Sequence, residues 1–193
     1  MTKNLILFLA IIFVGIVSYY FIHFGHYPVA IVNGKFITAK ALNEEYLVAF
    51  QYYVRTLANL GQENDDYVDP NSPVVHKELR RAAMHDLIDK ALVTEELKKR
   101  IGKDVDSAVD NRISAVNADN KEVAEAAKLL YGLDIESFKS MVLVPQAEKE
   151  LLEGSLYLEQ KKFVDWLKQA ETDARVTILT PEFAWDTNKV VVR

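Results

Sequence analysis

The chain has 193 residues, 50% hydrophobic and 26% charged, which fits one globular domain plus a short appendage and excludes wholesale disorder. Its 28 Asp and Glu outnumber its 23 Lys and Arg, so the acidic surface repels phosphate backbones and no nucleic acid partner is expected. Cysteine is absent, which rules out disulfides, Cys-ligated zinc, a thiol nucleophile and a cysteine-borne lipid.

Residues 5–24, LILFLAIIFVGIVSYYFIHF, carry no formal charge. About 20 such residues in a helix span the ~30 Å hydrocarbon layer. Tyr19, Tyr20 and His23 gather at the end where amphipathic rings favour the headgroup region. Lys3 precedes the stretch and the next cation is Lys35, so the charge bias keeps the N-terminus inside. A cleaved signal peptide would show a shorter apolar run and a small-x-small site, where this chain has bulky Tyr, Phe and His. The expected organisation is therefore 1–27, a cytoplasmic tip with a transmembrane signal-anchor; 28–180, a helical domain; and 181–193, a C-terminal tail. The expected location is a bacterial cytoplasmic membrane, single-pass, with the domain on the extracytoplasmic side.

Pro28 to Ile37 reads as two short strands around Asn33-Gly34, a pair suited to a tight hairpin turn. Thr38 caps a helix whose apolar positions run from Leu42 to Leu60, with Gly61 as its stop. Residues 61–73 are a polar loop. Ser72-Pro73 opens a second helix that closes at Gly102. A third, capped by Asp104 or Asp106, buries Val109, Ile113 and Val116; a fourth spans about Asn120–Tyr131.

Asp134 caps a fifth helix, in which Pro145 predicts a kink or break and Gly154 an interruption. Apolar positions resume through Phe163, Trp166 and Leu167, and Arg175–Leu179 reads as a strand. A lone strand leaves its backbone groups unpaired, so RVTIL is expected to pair with the first hairpin and bring both domain ends together. The tail's Trp185 and Val190–Val192 are either a docking strand or packing on the domain. The predicted fold class is mainly α, with a small antiparallel sheet joining the N- and C-terminal segments.

No motif for catalysis stands out. His76 and His85 lie nine residues apart, on different faces of a helix, and read as solvated or interfacial. Asp104, Asp106 and Asp110 lack the glycine and glutamate of a calcium loop. There is no Gly-rich phosphate loop and no nucleophile elbow. Adjacent acidic pairs such as Glu44-Glu45 diverge by about 100° on a helix. No catalytic residue, metal or cofactor is expected. Tyr46, Phe50, Tyr52, Tyr53 and Tyr67 are the candidate peptide-binding residues, because rings give contact area at little entropic cost. Tyr46, Phe50 and Tyr53 share one face and read as core; Tyr52 lies off it.

The order of elements resembles the chaperone domain of the SurA/PrsA/PpiD group of extracytoplasmic foldases. The resemblance is carried by AIVNGKFIT (Ala30–Thr38), LIDKALVTEELKKRIG (Leu87–Gly102), VDSAVDNRI (Val105–Ile113), GLDIESFKSMV (Gly132–Val142) and WLKQAETDARVTI (Trp166–Ile178). It covers nearly all of 28–180 and implies a lobe closed by its first and last segments. The group's parvulin prolyl isomerase sits between the fifth and the returning helix. Here that junction is Glu153-Gly154-Ser155, with no room for such a domain, so no isomerase activity is expected. What the resemblance implies is an ATP-independent holdase for unfolded or nascent exported polypeptides. The competing expectation is an adaptor holding a fixed translocon or envelope partner.

Overall fold

The computed structural model describes the backbone of residues 2–60, 69–115 and 120–193, and the side chains of these except 2–7, 9–10, 17–18 and 59–60. Residues 61–68 and 116–119 lie outside it, and with them the expected stop at Gly61, most of the polar loop, Val116 and Tyr67. The fold is mainly helical with small antiparallel sheets.

Helix α1 runs Thr2–His23. Among the described residues no helix is long and apolar enough to cross a membrane. The side chains described on α1, from Phe8 through Ile16 to Phe21, are exposed. Its exit is fixed to the domain by backbone bonds: Lys40 N donates to Gly25 O at 2.8 Å, and Ala39 N to Tyr27 O at 3.0 Å. Gly25 has φ +68°, and a Cβ there would come within 3.1 Å of the Lys40 backbone, so glycine alone makes this close approach without strain.

Strands β1 (Pro28–Val32) and β2 (Lys35–Thr38) form the expected hairpin, with a register shift between Pro28 and Ala30. Asn33 (φ 50°) and Gly34 (φ 87°) both occupy the left-handed region that a two-residue turn of the I′ type requires. Strand β3 (Val176–Ile178) pairs antiparallel with β1, Ala30 opposite Ile178 and Val32 opposite Val176. The sheet order is β2-β1-β3, so the first and last segments close one lobe as the lone strand's unpaired groups demanded.

Between them lie α2 (Ala39–Leu60), α3 (Pro73–Ile101), α4 (Val105–Ala115), α5 (Lys121–Tyr131), α6 (Ile135–Phe138), α7 (Val144–Leu158) and α8 (Phe163–Asp173). Most of the expected caps are made. Thr38 Oγ1 accepts from Ala41 N, Ser72 Oγ from Val75 N, and Asp134 Oδ1 from Ser137 N. Asn120 caps α5, and Gly132 ends it in the left-handed conformation. The expected Asp104 or Asp106 cap is corrected: α4 is entered through a 3₁₀ turn, Gly102–Asp104, with Asp106 already inside the helix; it buries Val105 and Val109 and leaves Ile113 half-buried.

Two more expectations are corrected. Of the kink or break expected at Pro145, the break is not made; the helix is irregular there, widening into a π-helical turn, Lys139–Leu143, directly before α7. Proline has no N–H for the carbonyl four residues back and its ring crowds that oxygen. Shifting the bonding by one residue, with Val144 N donating to Lys139 O, relieves the clash. Nor does Gly154 interrupt anything: α7 runs through it, and the turn to α8 comes at residues 159–162. A helical glycine costs only about 1 kcal/mol, and buried Leu152 and Leu156 on either side hold the helix in place.

The tail forms a second hairpin, β4 (Phe183–Asp186) with β5 (Lys189–Val192). Phe183 and Val190 are buried and join a core with Val32, Leu42, Met84, Ile88 and Ile178. Of the two readings of Trp185 and Val190–Val192, packing on the domain is the one realised. A second core unites Val93, Leu97, Val105, Val109, Ala147, Leu152 and Leu156. The 29-residue α3 passes through both cores and is the spine of the domain.

Candidate functional site

A cleft of about 360 Å³ opens where α2, α3, α5, the π turn, α7 and α8 converge. Tyr131, Met141, Val142, Pro145, Phe163 and Leu167 give it an apolar wall of half-buried side chains. The π turn makes this possible. It holds Met141 and Val142 beside Pro145 at the cleft, where a regular helix carrying proline would have broken. Methionine and aromatic rings of this kind adapt to varied apolar side chains without demanding one shape.

The opposite wall is charged: Glu45, Asp86 and Asp89 from α2 and α3, Lys90 between them, and Glu148 and Lys149 from α7. Lys90 Nζ lies 2.7 Å from both Glu45 Oε2 and Asp86 Oδ2, so its charge is fully engaged. Burial works against the Lys90 ammonium, but Asp86 and Glu45 outweigh it and hold its pKa above the ordinary lysine value. Burial pushes the Glu45 carboxyl up, against the pull of Lys90. Asp89 is pushed up to about 8, first by burial and then by Glu171 beside it. Glu148 accepts from Thr94 Oγ1 at 2.6 Å, and Lys149 Nζ sits 5.3 Å from the centre of the Phe163 ring.

The aromatic residues proposed from the sequence divide. Tyr46 and Phe50 are half-buried and gather around His76: Phe50 stacks on its ring at 5.0 Å, and the Tyr46 hydroxyl hydrogen-bonds its Nδ1. Arg80 lies 5.8 Å over the Tyr46 ring. Tyr53 is half-buried on the same helix. Tyr52 is 46% exposed and stacks on Tyr131 at 5.3 Å, and Tyr131 in turn meets Phe138 at 5.4 Å. None of these four lines the cleft, but Tyr52 continues its aromatic wall outward through Tyr131.

Neither helical histidine is merely solvated. His76 is held by Tyr46 and Phe50, and His85 by Glu171 and the Trp185 ring. The cleft itself was hidden in the sequence, because its apolar residues look like ordinary helix faces; Pro145 inside a helical pattern was the one visible mark of irregular backbone. The four-residue step from His85 to Asp89 was also visible, but Glu171 joins them only through the return of α8.

No curated protein and no solved structure matches the chain. The SurA-like N-terminal domain family matches residues 1–124, from α1 through α4 into α5, and no parvulin domain is matched. Strand β3, which closes the sheet, lies beyond the matched stretch yet pairs with its first strand. With the match covering well over half of its length, the chain belongs to the SurA-like N-terminal domain family, a family of chaperone-type domains.

Proposed function

We propose that the protein is a membrane-tethered, ATP-independent holdase for unfolded exported polypeptides. The observation that carries this reading is the cleft: an apolar, methionine- and aromatic-lined wall faced by a wall of carboxylates and lysines. Such a pairing suits short apolar segments with polar flanks, the apolar wall supplying contact and the charged wall keeping the cleft open to water. Tyr52 extends the wall for longer segments.

The tether is α1. What supports the tether is the sequence alone: residues 5–24 carry no formal charge, and about 20 such residues are the length a membrane-crossing helix needs. Lys3 is the only formally charged side chain before Lys35. Anchoring raises local client concentration at the membrane, where weak contacts suffice. The test has two arms. Residues 28–193 at several-fold excess should suppress aggregation of a reduced, unfolded client, and failure to do so removes the holdase reading. The full chain should resist carbonate extraction from membranes, and release by carbonate removes the tether.

A second reading has its own support. At the α7–α8 corner Tyr157, Leu158 and Val164 are 80%, 85% and 74% exposed, an apolar cluster that a fixed partner would cover. An adaptor built on that corner would capture one stoichiometric partner, a translocon or envelope protein, and lose it on Leu158→Asp. A holdase would keep its many clients in that variant.

A further inference from the structure

Three ligating side chains meet where α3 packs against α8. His85 Nε2 lies 3.2 Å from Glu171 Oε1 and 3.8 Å from Asp89 Oδ2, and one ligand atom from each of the three falls within 4.8 Å of the others. His85 and Asp89 are four residues apart, so one face of α3 presents both. Glu171 comes from the last turns of α8 and is 7% exposed. Trp185, on the β4–β5 hairpin, stacks on the His85 ring at 6.0 Å and 28°.

We infer that His85, Asp89 and Glu171 form a binding site for a divalent transition-metal ion of the zinc class. At metal–ligand distances of about 2.0–2.2 Å, tetrahedral ligands stand roughly 3.3–3.6 Å apart. The two His85 separations bracket that spacing, so an ion could be taken without moving the backbone. One imidazole and two carboxylates suit zinc better than calcium or magnesium, which take oxygen alone.

A second observation points the same way. Asp89 Oδ1 is buried and meets no hydrogen-bond donor, and Glu171 pairs with no Lys or Arg among the described residues. Two carboxylates this buried, with only the His85 ring beside them, leave a place that a bound cation would fill. Bound there, the ion would have three protein ligands and a fourth position for water. The consequence is structural. The ion would lock α8, which leads directly into β3, onto the α3 spine, in a chain that has no cysteine to do so covalently.

The experiment uses the purified full chain in detergent, stripped with chelator and titrated with zinc chloride by calorimetry and tryptophan fluorescence. The expected result is one zinc per chain, a change in Trp185 emission that Trp185→Phe removes, and a melting temperature raised by roughly 5 °C or more at a hundredfold excess over Kd. Glu171→Gln and His85→Ala should each weaken binding at least tenfold, while His23→Ala/His26→Ala leaves it unchanged. Glu171→Gln removes a buried charge without changing shape, so it decides the matter if His85→Ala fails to fold. Absence of binding at 100 µM zinc (about 5 kcal/mol of affinity), binding that survives Glu171→Gln, or equal competition by millimolar magnesium would each overturn the assignment.

Discussion

The two cores of this domain are built on opposite plans. The first joins distant segments: β1 lies between its sequence neighbour β2 and β3 from the far end of the chain, and Phe183 and Val190 of the last hairpin complete it. The second closes over a shorter stretch: α3 and its neighbour α4 pack against α7, which returns after α5 and α6, around Leu97, Val109, Leu152 and Leu156. Loop-closure entropy grows with the length closed, and the sheet core closes nearly the whole domain while the helical core closes a shorter part of it. The sheet core should therefore be the cooperative lock of the domain, and the helical core a unit able to open on its own.

The largest expected effect tests the lock. Phe183→Ala deletes a fully buried ring and should cost about 3–5 kcal/mol, read as a shift in urea midpoint. If the sheet core is the lock, hydrogen exchange should accelerate across β1, β3 and α3 together. Exchange confined to β4 and β5 would show the hairpin to be an appendage. Leu156→Ala comes next, at about 2–4 kcal/mol, and its accelerated exchange should stay within α4, α7 and the C-terminal half of α3. A global response from this variant would erase the distinction between the two cores.

The same contrast explains what could be read from the residues. The helices were legible because caps and periodicity are local: Ser72-Pro73, Asn120, Gly132 and Asp134 each act within four residues. The pairing of β1 with β3 followed from a different argument, that two lone strand signals must satisfy their backbones somewhere. The β4–β5 hairpin was not foreseen as such. Its turn, with Thr187 at φ 58°, lacks the Asn-Gly or Asp-Gly signature, and nothing local says whether Phe183 faces core or solvent. The cleft and the His85–Asp89–Glu171 cluster were illegible for the same reason. Each depends on where α8 lands after its return, a tertiary fact that no spacing along the chain encodes.

A smaller effect separates the junction of the cores from either interior. Asp89 lies on α3 between Ile88 of the first core and Val93 of the second. Its folded pKa of about 8 stands above the ordinary 3.8, so the folded state holds a proton that the unfolded chain releases. Its contribution is full below pH 4 and is lost as the pH rises towards 8. In chelator-containing buffer, stability should fall across that window, and Asp89→Asn, which mimics the neutral form, should flatten the slope and stabilise the protein at pH 9 by about 1 kcal/mol or more. A slope unchanged in the variant would mean that another group carries the pH dependence.

The smallest effect probes the hinge of the sheet core. Asn33 does three things at once: it adopts φ 50° in the hairpin turn, its Oδ1 accepts from Arg175 N at 3.0 Å, and its Nδ2 donates to Glu95 Oε2 at 3.1 Å. The turn is local, but the two side-chain bonds tie it to the start of β3 and to α3. Asn33→Gly keeps the backbone conformation and removes both bonds, so it should cost about 1 kcal/mol, while Asn33→Ala adds the left-handed strain and should cost about 2. The gap between the two variants isolates the turn, and the loss in glycine isolates the clamp. If Asn33→Gly were as stable as the parent, β3 would be held by its ladder and by Ile178 burial alone, and the lock would reside in the core rather than in the turn that borders it.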